Sequence, residues 1–161
     1  MHAPTNAYFS LVKRILRLIQ GTISHGLPFG PSSFELQAFS DCNWAGDASD
    51  RKSTSGYCVF IGSNLISWSA KKQPTVSRSS TEAEYRSLAH ATAELSWLHM
   101  LLHDLSISSV LAPILWCDYL SAIALASNPV FYTRSKHIEV DCHFIHEKVA
   151  AKKLVLKYGI S

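Results

Sequence analysis

Apolar residues recur along this chain with two different periods. Between residues 5 and 21, Phe9, Val12, Ile15, Leu16 and Ile19 return at helical spacing, Thr5 or Asn6 is available as the cap, and Gly21 stands where such a helix would stop. Lys13, Arg14 and Arg17 cluster beyond that apolar stripe. The stretch 25–33, with Gly26, Pro28, Gly30 and Pro31, reads as a linker of turn residues. Strand-like segments follow at 34–41, 57–61 and 65–69, with a polar loop over 43–55 and Gly62-Ser63-Asn64 as a hairpin turn, so an antiparallel meander is predicted. A long helix is predicted over 81–105, because Ser79 and Thr81 each have a glutamate three residues on, the spacing of a capping box. After it come a strand at 114–118, a short helix at 121–127 stopped by Asn128-Pro129, a helix over 138–151 and a final strand at 154–158. The order is that of an α/β fold, a mixed five-stranded sheet flanked by helices.

Composition narrows the class. The chain has 161 residues, the length of one domain, and with 47% hydrophobic and 17% charged residues it carries enough apolar surface to fold rather than remain a disordered tail. No apolar run approaches the ~20 residues that span a bilayer, and the first residues lack the pattern of a secretion signal. The expectation is a soluble intracellular protein, cytoplasmic or nuclear, with no membrane partner. Cys42, Cys58, Cys117 and Cys142 are scattered singly, which argues against a zinc site or a disulfide framework and predicts reduced, mostly buried thiols. A net charge of +3 with eight histidines is compatible with a polyanionic partner without establishing one.

Candidate chemistry lies in three acids. Asp41 closes the first predicted strand and Asp118 the fourth, and in open α/β sheets functional groups gather at strand ends, where a rigid backbone projects side chains into a crevice. Helical spacing selects the third acid: positions 84, 88, 91, 95, 98 and 102 carry Glu, Leu, Ala, Leu, Leu and Leu, so Glu84 continues the stripe that faces the sheet. Glu82 falls to one side with Tyr85 and Ala89 and fits a capping or dipole role. Three convergent carboxylates repel one another unless cations lie among them, and hard oxygen ligands suit Mg²⁺ or Mn²⁺. Two such ions about 4 Å apart support in-line hydrolysis of a phosphodiester. Taken singly, an aspartate at a strand end is more often a turn former or cap; convergence is what favours catalysis.

Six segments then match one family in order. Ser40-Asp41-Cys42-Asn43-Trp44-Ala45-Gly46-Asp47, Arg51-Lys52-Ser53-Thr54-Ser55-Gly56-Tyr57, Ser67-Trp68-Ser69-Ala70-Lys71-Lys72-Gln73, Ser79-Ser80-Thr81-Glu82-Ala83-Glu84-Tyr85, Cys117-Asp118 and Lys136-His137-Ile138-Glu139 resemble the RNase H domain of copia-type retrotransposon Pol polyproteins. The resemblance covers essentially the whole chain. It implies an RNase H-like fold over residues 33–161, preceded at 1–32 by the end of the reverse transcriptase region, with Val12-Lys13-Arg14-Ile15-Leu16 in its last helix. It implies that Asp41, Glu84 and Asp118 ligate two Mg²⁺ (or Mn²⁺) ions and cut the RNA strand of RNA–DNA hybrids during reverse transcription. The upstream reverse transcriptase is then a partner, and a virus-like particle or the nucleus the place of action.

The sequence departs from the family at several points. Relatives carry a fourth acid on a terminal helix after the last strand, whereas this sequence ends at Ser161, so that helix is expected to be missing; Glu139 and Asp141, on the preceding helix, fit solvated or capping roles. Tyr119 and Leu120 stand where Asn and Gln are usual, and Asn43 where Asp is usual. These changes motivate a second reading, a catalytically inactive remnant that at most binds nucleic acid. A third is a domesticated cellular nuclease or interaction module. Asn43, Lys71, Lys72, Arg78 and Ser80 are the candidate contacts to nucleic acid. Trp68, Trp97 and Trp116 sit in apolar runs and are expected in the core rather than as base-stacking platforms. His137, His143 and His146 lack the order of a zinc protease, and no serine sits in a nucleophile elbow.

Overall fold

The amphipathic N-terminal segment forms the first helix of the computed structural model, which describes residues 5–107, 111–120, 124 and 139–159. Helix α1 (Asn6–Thr22) starts at Thr5, whose hydroxyl accepts the Tyr8 N–H, and runs past Gly21 to a cap at Ile23. Gly21 does not stop the helix because it takes no left-handed conformation; among the described glycines only Gly62 has positive φ. None of the residues of α1 is buried, and Phe9, Val12, Leu16 and Ile19 each remain about half exposed. Replacing Leu16 with Asp is therefore expected to leave the thermal stability of the remaining chain within roughly 0.5 kcal/mol of the parent. A large drop in the melting temperature would show that α1 packs on the sheet after all.

The meander forms as its alternation predicts. Strands β1 (Leu36–Asn43), β2 (Thr54–Ile61) and β3 (Asn64–Lys72) pair antiparallel, with Gly62 at φ 57° in the β2–β3 turn. β4 (Ile114–Cys117) pairs parallel with β1, and β5 (Val155–Tyr158) parallel with β4, giving the sheet order β3-β2-β1-β4-β5. The first three strands run further than their apolar residues indicate. β1 continues past Asp41 because Cys42 and Asn43 pair with Ser55 and Thr54, and β3 extends to Lys72, so the polar loop shrinks to 44–53. The backbone ladder accepts polar residues as readily as apolar ones.

Along β1, Leu36, Ala38, Ser40 and Cys42 are buried while Phe39, Asp41 and Asn43 are exposed, the period of a sheet covered on one face. Helix α2 (Ser80–Asp104) provides that cover: Leu88, Ala91, Leu95, Leu98 and Leu102 are buried as its period requires, and fully buried Tyr85 joins them. Helix α3 (Glu139–Ala150) adds Cys142 and Ile145 to the same core. Cys42, Cys117 and Cys142 are free and buried; Cys58 is free but exposed.

On the opposite sheet face, register aligns Trp68, Cys58, Phe39, Trp116 and Lys157 in one row across all five strands. Phe39 stacks on Trp116 with ring centres 6.2 Å apart, and the Lys157 ammonium lies over the Trp116 ring. Trp68 is 59% exposed and Trp97, on the outer side of α2, 52% exposed, so neither is a core residue as expected from its apolar run. An apolar run does not reveal which of its members faces a covering layer. The predicted helix over 121–127, His137 and the start of the helix predicted from 138 lie outside the described residues, Ala124 excepted.

Candidate active site

The site grows from strand register. β1 and β4 run side by side with Gln37 opposite Ile114 and Ser40 opposite Cys117, a constant offset of 77, and the next pair at that offset is Asp41 and Asp118. β4 ends at Cys117, so the two aspartates emerge together where this ladder stops. Asp118 thus follows its strand as expected, whereas Asp41 sits inside β1 and its crevice is opened by the end of β4. Glu84 lies in the second turn of α2 and is only 8% exposed. The three acids each bring one carboxylate oxygen within 4.8 Å of the others. The convergence inferred from helical period and strand position is therefore present.

The electrostatics are those of a crowded anionic cluster. Burial first, then the charges of Asp118 and Asp41, push the Glu84 carboxyl up from 4.5 to about 7. Burial and the same cluster push the Cys42 thiol up to about 12, so it is no nucleophile at neutral pH. Asp41 is partly compensated, its Oδ1 accepting the Cys42 N–H at 2.7 Å. Oxygen-only donors at this spacing, one of them costly to ionise when empty, fit hard divalent cations such as Mg²⁺ or Mn²⁺.

Several neighbours that hold the acids escaped the sequence reading. Ser87, fully buried one turn beyond Glu84, donates to the Asp41 carbonyl at 2.8 Å and lies 3.0 Å from the Ser40 hydroxyl, fastening α2 to β1. Gln73, also buried, donates to Ser55 Oγ and the Ala83 carbonyl, both at 2.9 Å, and accepts from Ser77 Oγ. Thr81 and Tyr119 share a hydroxyl–hydroxyl hydrogen bond of 2.8 Å. Ser87 signals itself only as a polar side chain on the buried arc of α2, while Gln73, Thr81 and Tyr119 figured in the sequence as a motif residue, a capping residue and a departure from the family, with no local sign of these partners. Glu82 has the structural role expected: Ser79 caps α2 by accepting the Glu82 N–H, and the Glu82 carboxylate accepts from the Arg78 N–H and pairs with Arg86 at 2.7 Å.

The candidate nucleic-acid contacts gather on the same sheet end. Asn43 pairs with Thr54 and Thr54 with Lys72, while Lys71 lies opposite Ser55 and Arg78 and Ser80 lead into α2. Lys72 forms ion pairs with Asp47 and Asp50; it is the main cause that holds the Asp47 carboxyl below its ordinary range, whereas Asp50 is lowered first by the Lys52 backbone N–H and then by Lys72. Lys71 and Arg78 are exposed. Asp141, half-buried on α3, is raised by desolvation and feels His90 and Arg86 rather than the acid trio; Glu139 is exposed.

No protein-family model matches the chain. Over 155 residues it is 46% identical to the retrovirus-related Pol polyprotein from transposon RE1 of Arabidopsis thaliana, an alignment covering 96% of this chain and 11% of that polyprotein. The fold is similar to that of a foamy viral protease-reverse transcriptase solved in complex with an RNA/DNA hybrid, with TM-score 0.56 and 13% identity over 99% of this chain and 19% of that one. It is also similar to LC11-RNase H1 in complex with an RNA/DNA hybrid, with TM-score 0.54 and 13% identity over 78% of this chain and 85% of that one. The chain is thus a homologue, over nearly all of its own length, of a short segment of retrovirus-related Pol polyproteins from transposons, and its fold is that of RNase H.

Proposed function

We propose that this chain is the ribonuclease of a copia-type retrotransposon polyprotein, cutting the RNA strand of RNA–DNA hybrids during reverse transcription with two Mg²⁺ or Mn²⁺ ions held by Asp41, Glu84 and Asp118. The observation that carries the reading is the meeting of those three carboxylates on an RNase H fold. Divalent ions at such a site supply a deprotonated water and charge neutralisation at the departing oxygen. The chain's own contribution is to present ionised oxygens in a fixed arrangement. Glu84 must lose its proton to ligate, and cations favour that loss. Lys71, Arg78 and Ser80 would meet the phosphate backbone beside the site, with Asn43 and Lys72 in the adjoining row, and set the register of the hybrid rather than its sequence.

The apolar stripe of α1 has no cover among the described residues, and we assign it to the upstream reverse transcriptase part of the polyprotein. Reverse transcription places the whole in a cytoplasmic virus-like particle or the nucleus. No described helix is long and apolar enough to cross a membrane.

A second reading, a catalytically inactive domain that only binds nucleic acid, is favoured by Leu120, which stands 62% exposed two residues after Asp118 and offers the hybrid no hydrogen bond. A labelled hybrid incubated with the purified chain separates the two. The proposed function predicts cuts in the RNA strand with Mg²⁺ or Mn²⁺ and none with a chelator. Hybrid binding without cleavage at every metal concentration would establish the second reading instead.

A further inference from the structure

We infer that the hydroxyl pair of Thr81 and Tyr119 is a positioning device that sets the spacing of the acid cluster; the inference rests on the proposed metal site. The three acids are anchored differently. Asp41 is inside a strand paired on both sides up to Ser40 and continuing against β2 to Asn43. Glu84 is inside α2, and Ser87 fastens that part of the helix to the Asp41 carbonyl. Asp118 differs, because β4 ends one residue before it and its backbone is outside the ladder.

Tyr119 is the next residue. Its ring packs against the hydrophobic core, and its hydroxyl reaches Thr81 Oγ1 at 2.8 Å. Thr81 lies three residues before Glu84 on α2, as Ser87 lies three residues after it. One helix thus carries a hydroxyl tie on either side of its glutamate, Ser87 to β1 and Thr81 to the segment that bears Asp118. A ligand on a segment outside the ladder samples more positions unless a neighbour restrains it, and metal affinity falls when such outer restraints are removed. In this role the pair acts through the segment that carries Asp118 rather than on substrate. Its effect is on where Asp118 stands.

The test is Mn²⁺ binding by the full chain, followed by calorimetry, with metal-free melting temperature as the structural control. Thr81→Val and Tyr119→Phe each remove one hydroxyl and keep the shape. Each is expected to weaken Mn²⁺ binding roughly fivefold, the size of one net hydrogen bond, while melting shifts by a few degrees at most. The double variant should weaken binding by less than the two single effects combined, because their shared hydrogen bond is lost once. Thr81→Ser, which retains the hydroxyl, should bind within about twofold of the parent. Parent-like affinity in both Thr81→Val and Tyr119→Phe would overturn the positioning role while leaving the metal site intact, as would Thr81→Ser binding as weakly as Thr81→Val. A parent chain that binds no Mn²⁺ would overturn the metal reading itself, and this inference with it.

Discussion

Asp41→Asn and Asp118→Asn are each expected to lower metal-dependent cleavage of an RNA–DNA hybrid by at least about a thousandfold, equivalent to roughly 4 kcal/mol of lost transition-state stabilisation. The two positions are consecutive members of one parallel register, so each contributes an oxygen to the same few ångströms of space. Asparagine preserves shape but replaces a charged ligand oxygen with a neutral amide, which binds Mg²⁺ far less well. Folding should not suffer. Both aspartates are solvent-exposed, and removing one anion relieves the repulsion within the trio. Initial rates on a labelled hybrid, compared at equal melting temperature, give the answer. Cleavage within tenfold of the parent by a well-folded Asp41→Asn variant would remove these acids from the reaction.

The second large effect is on stability and has a definite sign. Glu84 keeps its proton in the folded chain up to about pH 7 because of burial and the neighbouring anions, whereas an unfolded glutamate releases it near 4.5. Through that window the folded state binds more protons than the unfolded state. The contribution of Glu84 therefore makes the metal-free protein less stable as pH rises from about 4.5 to about 7, by up to about 3 kcal/mol. Glu84→Gln removes the ionisation and should melt several degrees higher than the parent at pH 8 without metal, with the difference vanishing near pH 4. Asp47, held low chiefly by Lys72, and Asp50, held low by the Lys52 N–H and then Lys72, act in the opposite sense, losing their stabilisation as pH falls; they are common to both proteins, so the comparison isolates Glu84. Divalent cations should raise the melting temperature of the parent much more than that of the variant, since only the parent offers the complete trio. Parallel pH profiles for the two proteins would contradict the crowding of these carboxylates.

The parts of the site that were legible in the sequence are those set by local periodicity. The helical period picked out Glu84, whose arc Leu88, Ala91 and Leu95 continue, but burial does not separate it from Glu82: both are buried, as are Tyr85 and Ala89 beside Glu82, and what sets Glu82 apart is its engagement by Arg78 and Arg86. Asp41 and Asp118 were visible as acids at the ends of apolar runs, but their adjacency depends on the parallel register of β1 and β4, which no local pattern encodes. The same limit hid Ser87 and Tyr119, whose partners lie 46 and 38 residues away. Strand ends were placed short because Cys42, Asn43, Lys71 and Lys72 are held by backbone pairing rather than by burial of apolar side chains. Trp68 and Trp97 were read as core from hydrophobicity alone, yet one lies on the sheet face opposite α2 and the other on the outer side of that helix. Hydrophobicity tells what a residue would gain from cover and leaves open whether cover is there.

One β1 aspartate, one α2 glutamate and the aspartate after β4 are proposed to share divalent metal, and paramagnetic Mn²⁺ added to isotopically labelled protein would reveal where it binds, because the ion broadens the NMR signals of amides close to it. Broadening is predicted to appear first at Cys42, Glu84 and Asp118 and to be absent from Glu84→Gln at the same metal concentration. Broadening centred instead on the Asp47 and Asp50 loop, or equal in parent and variant, would show that these three acids do not share the ion.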